Sequence, residues 1–373
     1  MATERIRVAF YATALGGGGG MERYARELLR ALGERSDLDL VVIVSAAGRE
    51  EPASLVANNL VDVVVLGGPG VLGRSIRERH GVARQLRDLG VDVVHGTKHF
   101  LPRLDRASVL TVHDLMVLTW PEQFPWMKRV LLPRQYRASL QQATRLIAVS
   151  EATCDRLATI DPRLAAKTTV IPSGVAVPLL EVRAEPLPGL DGRPFALVVG
   201  DLSPRKNVGL LLEIWDDVAH ATDGLTLVAV GPHGWRSRGT ERRLGRLATR
   251  GEAVWAQHVP DPQLRWCYEH TQVVLVPSRE EGFGLPVLEA LALGAPVVAS
   301  TDAALVEVAA GHARHVDPDD REGWTQAIVE TVSRRRDDGS TSRGAPTLPS
   351  WRDCAEQTVG TYRRAVRDHL GAS

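Results

Sequence analysis

Two glutamates, Glu281 and Glu289, stand with seven residues between them, the first in a glycine-bearing loop and the second inside a helical stretch. Carboxylates accept hydrogen bonds from hydroxyls, so the pair suits a polyhydroxylated ligand. Between them Gly282, Phe283, Gly284 and Leu285 lead into a helix whose Pro286 fits a first helical position, where its missing N–H costs nothing. The N–H groups of those four residues and the positive end of the helix dipole favour an anion, and the glycines let a phosphate come close. An anion held on amides and flanked by two acceptors fits a phosphorylated sugar or a nucleotide. The plainer reading makes Glu281 a solvated loop charge and Glu289 a favourable charge near a helix start. A cationic pair, Arg205 and Lys206, follows the strand-like run from Phe195 to Gly200 and opens another helix. Cations there oppose the dipole, and a diphosphate gives them a reason to be present.

His113 and Asp114 leave the run Val109 to Val112. Neighbours on a strand face opposite ways, so adjacency alone does not make them a dyad. Lys98 and His99 follow the strand-like Val91 to His95, and the carboxyl ends of such strands are where open α/β sheets place ligands; both are candidate acceptor contacts. Gly16 to Gly20 lies between the first strand, Ile6 to Tyr11, and a helix near Met21, again a phosphate-compatible turn. The five glycines lack the G-x-G-x-x-G fingerprint of a dinucleotide site. Asp37-x-Asp39 and Asp317-x-Asp319 match a metal-type pattern formally, but such pairs are too common to assign a metal.

These residues are set on strands that alternate with helices, the pattern of a parallel sheet covered on both faces. At 373 residues the chain is long for one core and fits two domains. Lys plus Arg and Asp plus Glu are 45 each, so no overall field recruits nucleic acid. Three cysteines, at 154, 267 and 354, show no metal spacing, and no signal peptide precedes the first strand, so the expected location is reducing and cytoplasmic. No apolar run approaches the ~20 residues that span a bilayer. Residues 123–150 contain arginines and a lysine among apolar residues but no acid, which reads either as a core-packed helix with a solvated basic edge or as a peripheral contact with an anionic membrane. A polar stretch around Pro178, Pro186 and Pro188 reads as a linker, helical periodicity runs from Ile76 to Leu89, and Asp337 to Pro349 reads as a flexible surface segment.

The run EGFGLPVLEALALGAPVVAS, Glu281 to Ser300, resembles the signature of glycosyltransferase family 4, retaining enzymes of the GT-B fold. The resemblance implies two doubly wound Rossmann-like α/β domains facing across a cleft. Residues 1–178 would form the acceptor side, with a helix over 350–373 crossing back to it, and residues 187–349 would bind the nucleotide sugar. It implies that Glu281 contacts hydroxyls of the donor sugar and Glu289 the ribose. Arg205 and Lys206 would hold the diphosphate, with Asp201 standing where many relatives carry an arginine. His113, within TVHDL, would reach the donor sugar near the reaction centre. Gly17 and Gly18 would lie over the donor phosphates, and Val259 would border the base through its backbone. The implied reaction moves a hexosyl group to an acceptor hydroxyl by same-face displacement, with neither cofactor nor metal. HDLMVLTWPEQFP, His113 to Pro125, resembles a branch rich in mannosyl transferases, which makes GDP-mannose the first donor and a UDP-hexose the second. A nucleotide-sugar epimerase or hydrolase, and a non-catalytic nucleotide-sugar-binding subunit, are the alternatives.

Overall fold

The computed structural model describes residues 5–56, 58–66, 84–123, 126–190, 192–338 and 347–371. The chain divides into two compact units, residues 1–174 with 349–373, and residues 175–348. Each is a parallel sheet with helices packed on it. No helix among the described residues is long and apolar enough to cross a membrane.

In the first unit β1 (Ile6–Tyr11), β2 (Leu38–Ser45), β3 (Leu60–Leu66), β4 (Val93–Gly96), β5 (Ala107–Val112), β6 (Arg145–Ala148) and β7 (Thr168–Val170) form a sheet in the order β3-β2-β1-β4-β5-β6-β7. β1 pairs in parallel with β2 on one side and β4 on the other, so the strand order reverses between β1 and β4. The loops that leave their carboxyl ends diverge there and open a crevice. The Gly20–Gly33 helix buries Tyr24, Leu28, Leu29 and Leu32, the stripe its periodicity predicts. The last helix, Trp351–Gly371, belongs to this unit and buries Trp351, Cys354, Val359 and Tyr362. Its start is capped reciprocally: the Asp353 amide donates to Ser350 Oγ at 3.1 Å, and Ser350 Oγ donates to Asp353 Oδ2 at 2.7 Å.

The second unit repeats the plan. β8 (Phe195–Val199), β9 (Thr226–Val230), β10 (Ala253–Ala256), β11 (Val273–Val276), β12 (Val297–Ser300) and β13 (Arg314–Val316) run in the order β10-β9-β8-β11-β12-β13. Here the reversal falls between β8 and β11, which pair in parallel. β11 is buried along its whole length, as expected of an unbroken β-branched and aliphatic run covered on both faces.

One expectation is corrected. The stretch around Pro178 to Pro188 is not an open linker: Pro178 lies in the first turn of the short Val177–Glu181 helix, and Leu179, Leu187 and Leu190 are buried in the core of the second unit. Their spacing among prolines hides an apolar face that only packing reveals. The Ala304 to Val308 run is helical, within Ala303–Ala309. The helix expected over 76–89 lies largely outside the described residues, of which 84–88 are helical, and the segment 337–349 lies mostly outside them too.

Candidate active site

The strand reversal of the second unit receives the charged residues singled out in the sequence. Arg205 and Lys206 sit in the 3-10 turn Pro204–Lys206 after β8, and Glu281 lies in the loop after β11, so adjacent strands deliver them to one crevice. Arg205 Nη1 donates to Glu281 Oε2 at 2.6 Å and to the Glu280 carbonyl at 2.9 Å, while Lys206 Nζ donates to Glu281 Oε1 at 2.7 Å. Glu281 is 7% exposed, which rules out a solvated loop charge. Burial alone pushes its carboxyl up, but the Arg205 guanidinium and the Lys206 ammonium outweigh that and hold it at about 2. The Arg279 amide donates to the Arg205 carbonyl at 2.9 Å and ties the two loops together.

Close backbone packing aims the cation loop. A Cβ on Gly231 would stand 2.1 Å from the Gly200 carbonyl oxygen, and one on Gly234 2.1 Å from the Ser203 nitrogen. The loop after β9 therefore supports residues 200–203 directly, which is possible only without side chains at those two positions. Asp201 Oδ1 accepts from the Ser203 amide at 2.9 Å, so the acid that stands where an arginine was expected shapes the turn.

The Leu285–Ala292 helix begins one residue before Pro286, with Gly284 at φ 105° before it and no side-chain cap. Gly282, Phe283 and Gly284 are buried, and a Cβ on Gly284 would stand 2.7 Å from Leu305 Cδ2, so this turn is pressed against the Ala303–Ala309 helix. Glu289 lies in the second turn and is 3% exposed, not a solvated charge at the helix start. Tyr268, fully buried on the Asp261–His270 helix, donates its hydroxyl to Glu289 Oε2 at 2.8 Å. Val259 is buried in the core, so its side chain is used in packing and its backbone alone remains for a ligand.

In the first unit His113 follows β5 and is partly buried. Its Nε2 lies 3.1 Å from the Thr97 carbonyl oxygen, which can only accept, so Nε2 carries the proton and Nδ1 is left as the acceptor. Burial lowers its pKa to about 4 against the opposing pull of Asp114, so it is neutral at pH 7. Asp114 turns elsewhere, accepting from the Met116 amide at 3.1 Å. The edge of Tyr24 packs on the His113 ring at 4.5 Å between centroids, and the Tyr24 hydroxyl lies 3.1 Å from Thr111 Oγ1. Thr111 Oγ1 also meets His95 Nε2 at 2.8 Å, and His95 Nδ1 meets the Tyr362 hydroxyl at 2.7 Å. His99 packs edge-on against Tyr136, and burial lowers its pKa. In the loop after β1 the Gly17 amide donates to the Ala14 carbonyl at 3.1 Å, and the Gly18 amide donates to the Glu22 carboxylate.

The chain matches two family profiles, Glycosyltransferase Family 4 over residues 18–177 and Glycosyl transferases group 1 over residues 193–334. It is 30% identical to O-antigen chain mannosyltransferase B of Escherichia coli over 299 residues, which cover 74% of this chain and 76% of that one. The chain belongs to glycosyltransferase family 4. Among solved structures, sucrose-phosphate synthase from Thermosynechococcus elongatus aligns over 99% of the chain and all of its own, with TM-score 0.70 and 20% identity. Anabaena HepE in complex with UDP and glucose aligns over 99% and 98%, with TM-score 0.67 and 17% identity. The two doubly wound sheets are those of the GT-B fold.

Three features of this family 4 glycosyltransferase escaped sequence reasoning. Tyr268 reaches Glu289 from another helix, Tyr24 and Thr97 hold His113 from two further elements, and the Glu280 carbonyl shares Arg205 with Glu281. None of the three left a local trace: a backbone carbonyl accepts whatever side chain its residue bears, and a tyrosine on a helix face looks like any other core residue. The arrangement also joins Glu281 to the two cations, where the sequence assigned it to the sugar alone.

Proposed function

We propose that the enzyme transfers a hexosyl group from a nucleoside-diphosphate sugar to an acceptor hydroxyl with retention of configuration. The observation that carries this reading is the meeting of Arg205, Lys206 and Glu281 where β8 and β11 diverge. Two cations on one loop can neutralise the charge that develops on a departing diphosphate, and the start of the Leu285–Ala292 helix offers oriented amides beside them. Glu289, oriented by Tyr268, accepts from the ribose. His113, neutral with Nδ1 as acceptor, serves a hydroxyl of the donor sugar. The bond from the anomeric carbon to the diphosphate breaks, and within the short-lived ion pair the acceptor oxygen bonds to that carbon on the same face while its proton passes to the departing phosphate oxygen, so no protein nucleophile takes part.

The donor proposed first is GDP-mannose, in keeping with the name of the E. coli relative. A UDP-hexose is second, in keeping with the UDP and glucose of the Anabaena structure. Charge stabilisation by Arg205 and Lys206 makes the reaction metal-free, and both Asp-x-Asp patterns have other uses: Asp37 pairs with Arg35, Asp39 with Arg7 and Asp319 with Arg279. Thermal melts against a panel of nucleotide sugars test the donor: a ligand at about 100 times its Kd stabilises by about 2.7 kcal/mol. No shift with any nucleotide would remove the reading. Turnover with the best donor should persist in excess EDTA and the product anomer should match the donor's; loss restored by magnesium, or inversion, would correct those two points.

We also propose a cytoplasmic location with peripheral contact to an anionic membrane. The Trp126–Gln142 helix exposes Arg129, Arg134 and Arg137 beside Val130 at 46% and Leu131 at 40%. Cations flanking exposed aliphatic side chains suit an interfacial helix. Flotation with anionic but not zwitterionic vesicles is expected, and absence of both would leave the helix as an ordinary solvated edge.

A further inference from the structure

Resting on the donor reading above, we infer that Glu281 is the internal occupant of the diphosphate site: its carboxylate holds Arg205 and Lys206 until the donor's diphosphate takes its place. The carboxylate engages both cations, one oxygen 2.6 Å from Arg205 Nη1 and the other 2.7 Å from Lys206 Nζ. These are the basic side chains of the loop after β8, so the groups a diphosphate requires are already spent on an anion of this chain. The need for such an occupant is physical. Two partly buried cations on adjacent residues repel one another and lose hydration, and a bridging carboxylate offsets both costs.

The surroundings allow the exchange. Arg205 donates to the Glu280 carbonyl at 2.9 Å as well, and the Arg279 amide holds the Arg205 carbonyl at 2.9 Å, so the two loops stay joined when the carboxylate leaves. Held at about 2, the carboxyl stays ionised at any working pH, and a stronger anion rather than a proton releases it. A diphosphate carries more charge than one carboxylate and so competes for both cations at once. The displaced carboxylate then lies charged beside the donor, where its next partner is a sugar hydroxyl. Donor binding and the arming of Glu281 become one event.

Inorganic pyrophosphate and the nucleoside diphosphate of the best donor are the probes, titrated by calorimetry into the wild type, Glu281→Gln, Lys206→Ala and the double variant. Glu281→Gln should bind both ligands about tenfold more tightly, because the occupied state no longer competes. In the Lys206→Ala background that gain should shrink, since part of what Glu281 competes for is gone. Unchanged or weaker binding in Glu281→Gln, in a wild type that binds nucleotide well, overturns the exchange and leaves the donor reading standing. An equal gain in both backgrounds also overturns it, because plain repulsion by a nearby charge does not depend on Lys206. A wild type that binds no nucleotide removes the donor reading and this inference together. A crystal structure of the wild type with pyrophosphate checks the same point without a variant. Glu281 more than about 4 Å from both cations supports the exchange, and a carboxylate still on Lys206 beside bound ligand sinks it.

Discussion

Arg205 and Lys206 owe their predicted importance to charge placed where charge would appear. On the proposed reaction, Arg205→Ala and Lys206→Ala each lower turnover about 10²- to 10³-fold with the fold intact, the usual effect of removing one stabilising group. Near-normal steady-state rates in both variants, with unchanged circular dichroism, would take them out of the mechanism. Glu289 and Tyr268 act on affinity instead. Glu289→Gln turns an anionic acceptor into a neutral one and should weaken nucleoside diphosphate binding by about 1 to 2 kcal/mol. Tyr268→Phe removes the hydroxyl that donates to Glu289 at 2.8 Å and should weaken the same binding by about 1 kcal/mol, through loss of orientation. Calorimetry reads both; a Tyr268→Phe enzyme with wild-type affinity would reduce that contact to packing. The glutamates could be found in the sequence because both lie within one loop and helix. Tyr268 could not, because its partner is supplied by another helix.

The loop after β8 takes its shape from its neighbours more than from its own residues. Gly234 admits the backbone of Ser203 at a distance no Cβ tolerates, and Gly231, at φ 147°, does the same for Gly200. Gly234→Ala must push residues 200–203 aside, at about 1 to 3 kcal/mol for overpacking, and carry Arg205 and Lys206 with them. The expected signature is a lowered Tm together with weaker pyrophosphate binding, although Gly234 bears no group that could touch a ligand. A lowered Tm with wild-type affinity would show that the cation loop tolerates the shift. Element boundaries were legible here to within a few residues, because β11 and the Leu285–Ala292 helix carry their own apolar pattern and turn residues. The Val177–Glu181 helix and the buried leucines at 179, 187 and 190 were not, since prolines and acids between them break any periodicity.

For the molecule as a whole, buried imidazoles set a pH dependence of stability. Burial lowers His95 to about 3 and His113 to about 4, well below the ~6.5 of an unfolded histidine. Below pH ~6.5 the unfolded chain takes up protons that the folded chain refuses, so stability falls as pH drops. For the fully buried His95 the slope is up to about 1.4 kcal/mol per pH unit, continuing until the folded value is reached. Glu281 acts in a different window. Its carboxyl is depressed to about 2, so its contribution is complete above the ordinary glutamate value and is lost only as pH falls from there toward 2. Denaturant melts at pH 7.5 and pH 5 should show the lower stability at pH 5, and His95→Gln should flatten the difference. A wild type equally stable at both values would contradict the buried neutral histidines.

By itself the sequence determined the alternation of strands and helices, the family signature from Glu281 to Ser300, and the identity of the charged residues, because these depend on contacts between near neighbours along the chain. Capping at Ser150 and Ser350 is equally local: each hydroxyl accepts from the amide three residues on, at 3.0 and 3.1 Å. The tertiary structure alone decided that Glu281 rests on Arg205 and Lys206, residues separated from it by 76 and 75 positions. It also decided that Thr97 fixes the proton of His113 and that Tyr268 orients Glu289. Those facts depend on which strands and helices lie side by side in the folded units. A carboxylate chooses its partners by distance in space, and no pattern along the chain records that distance.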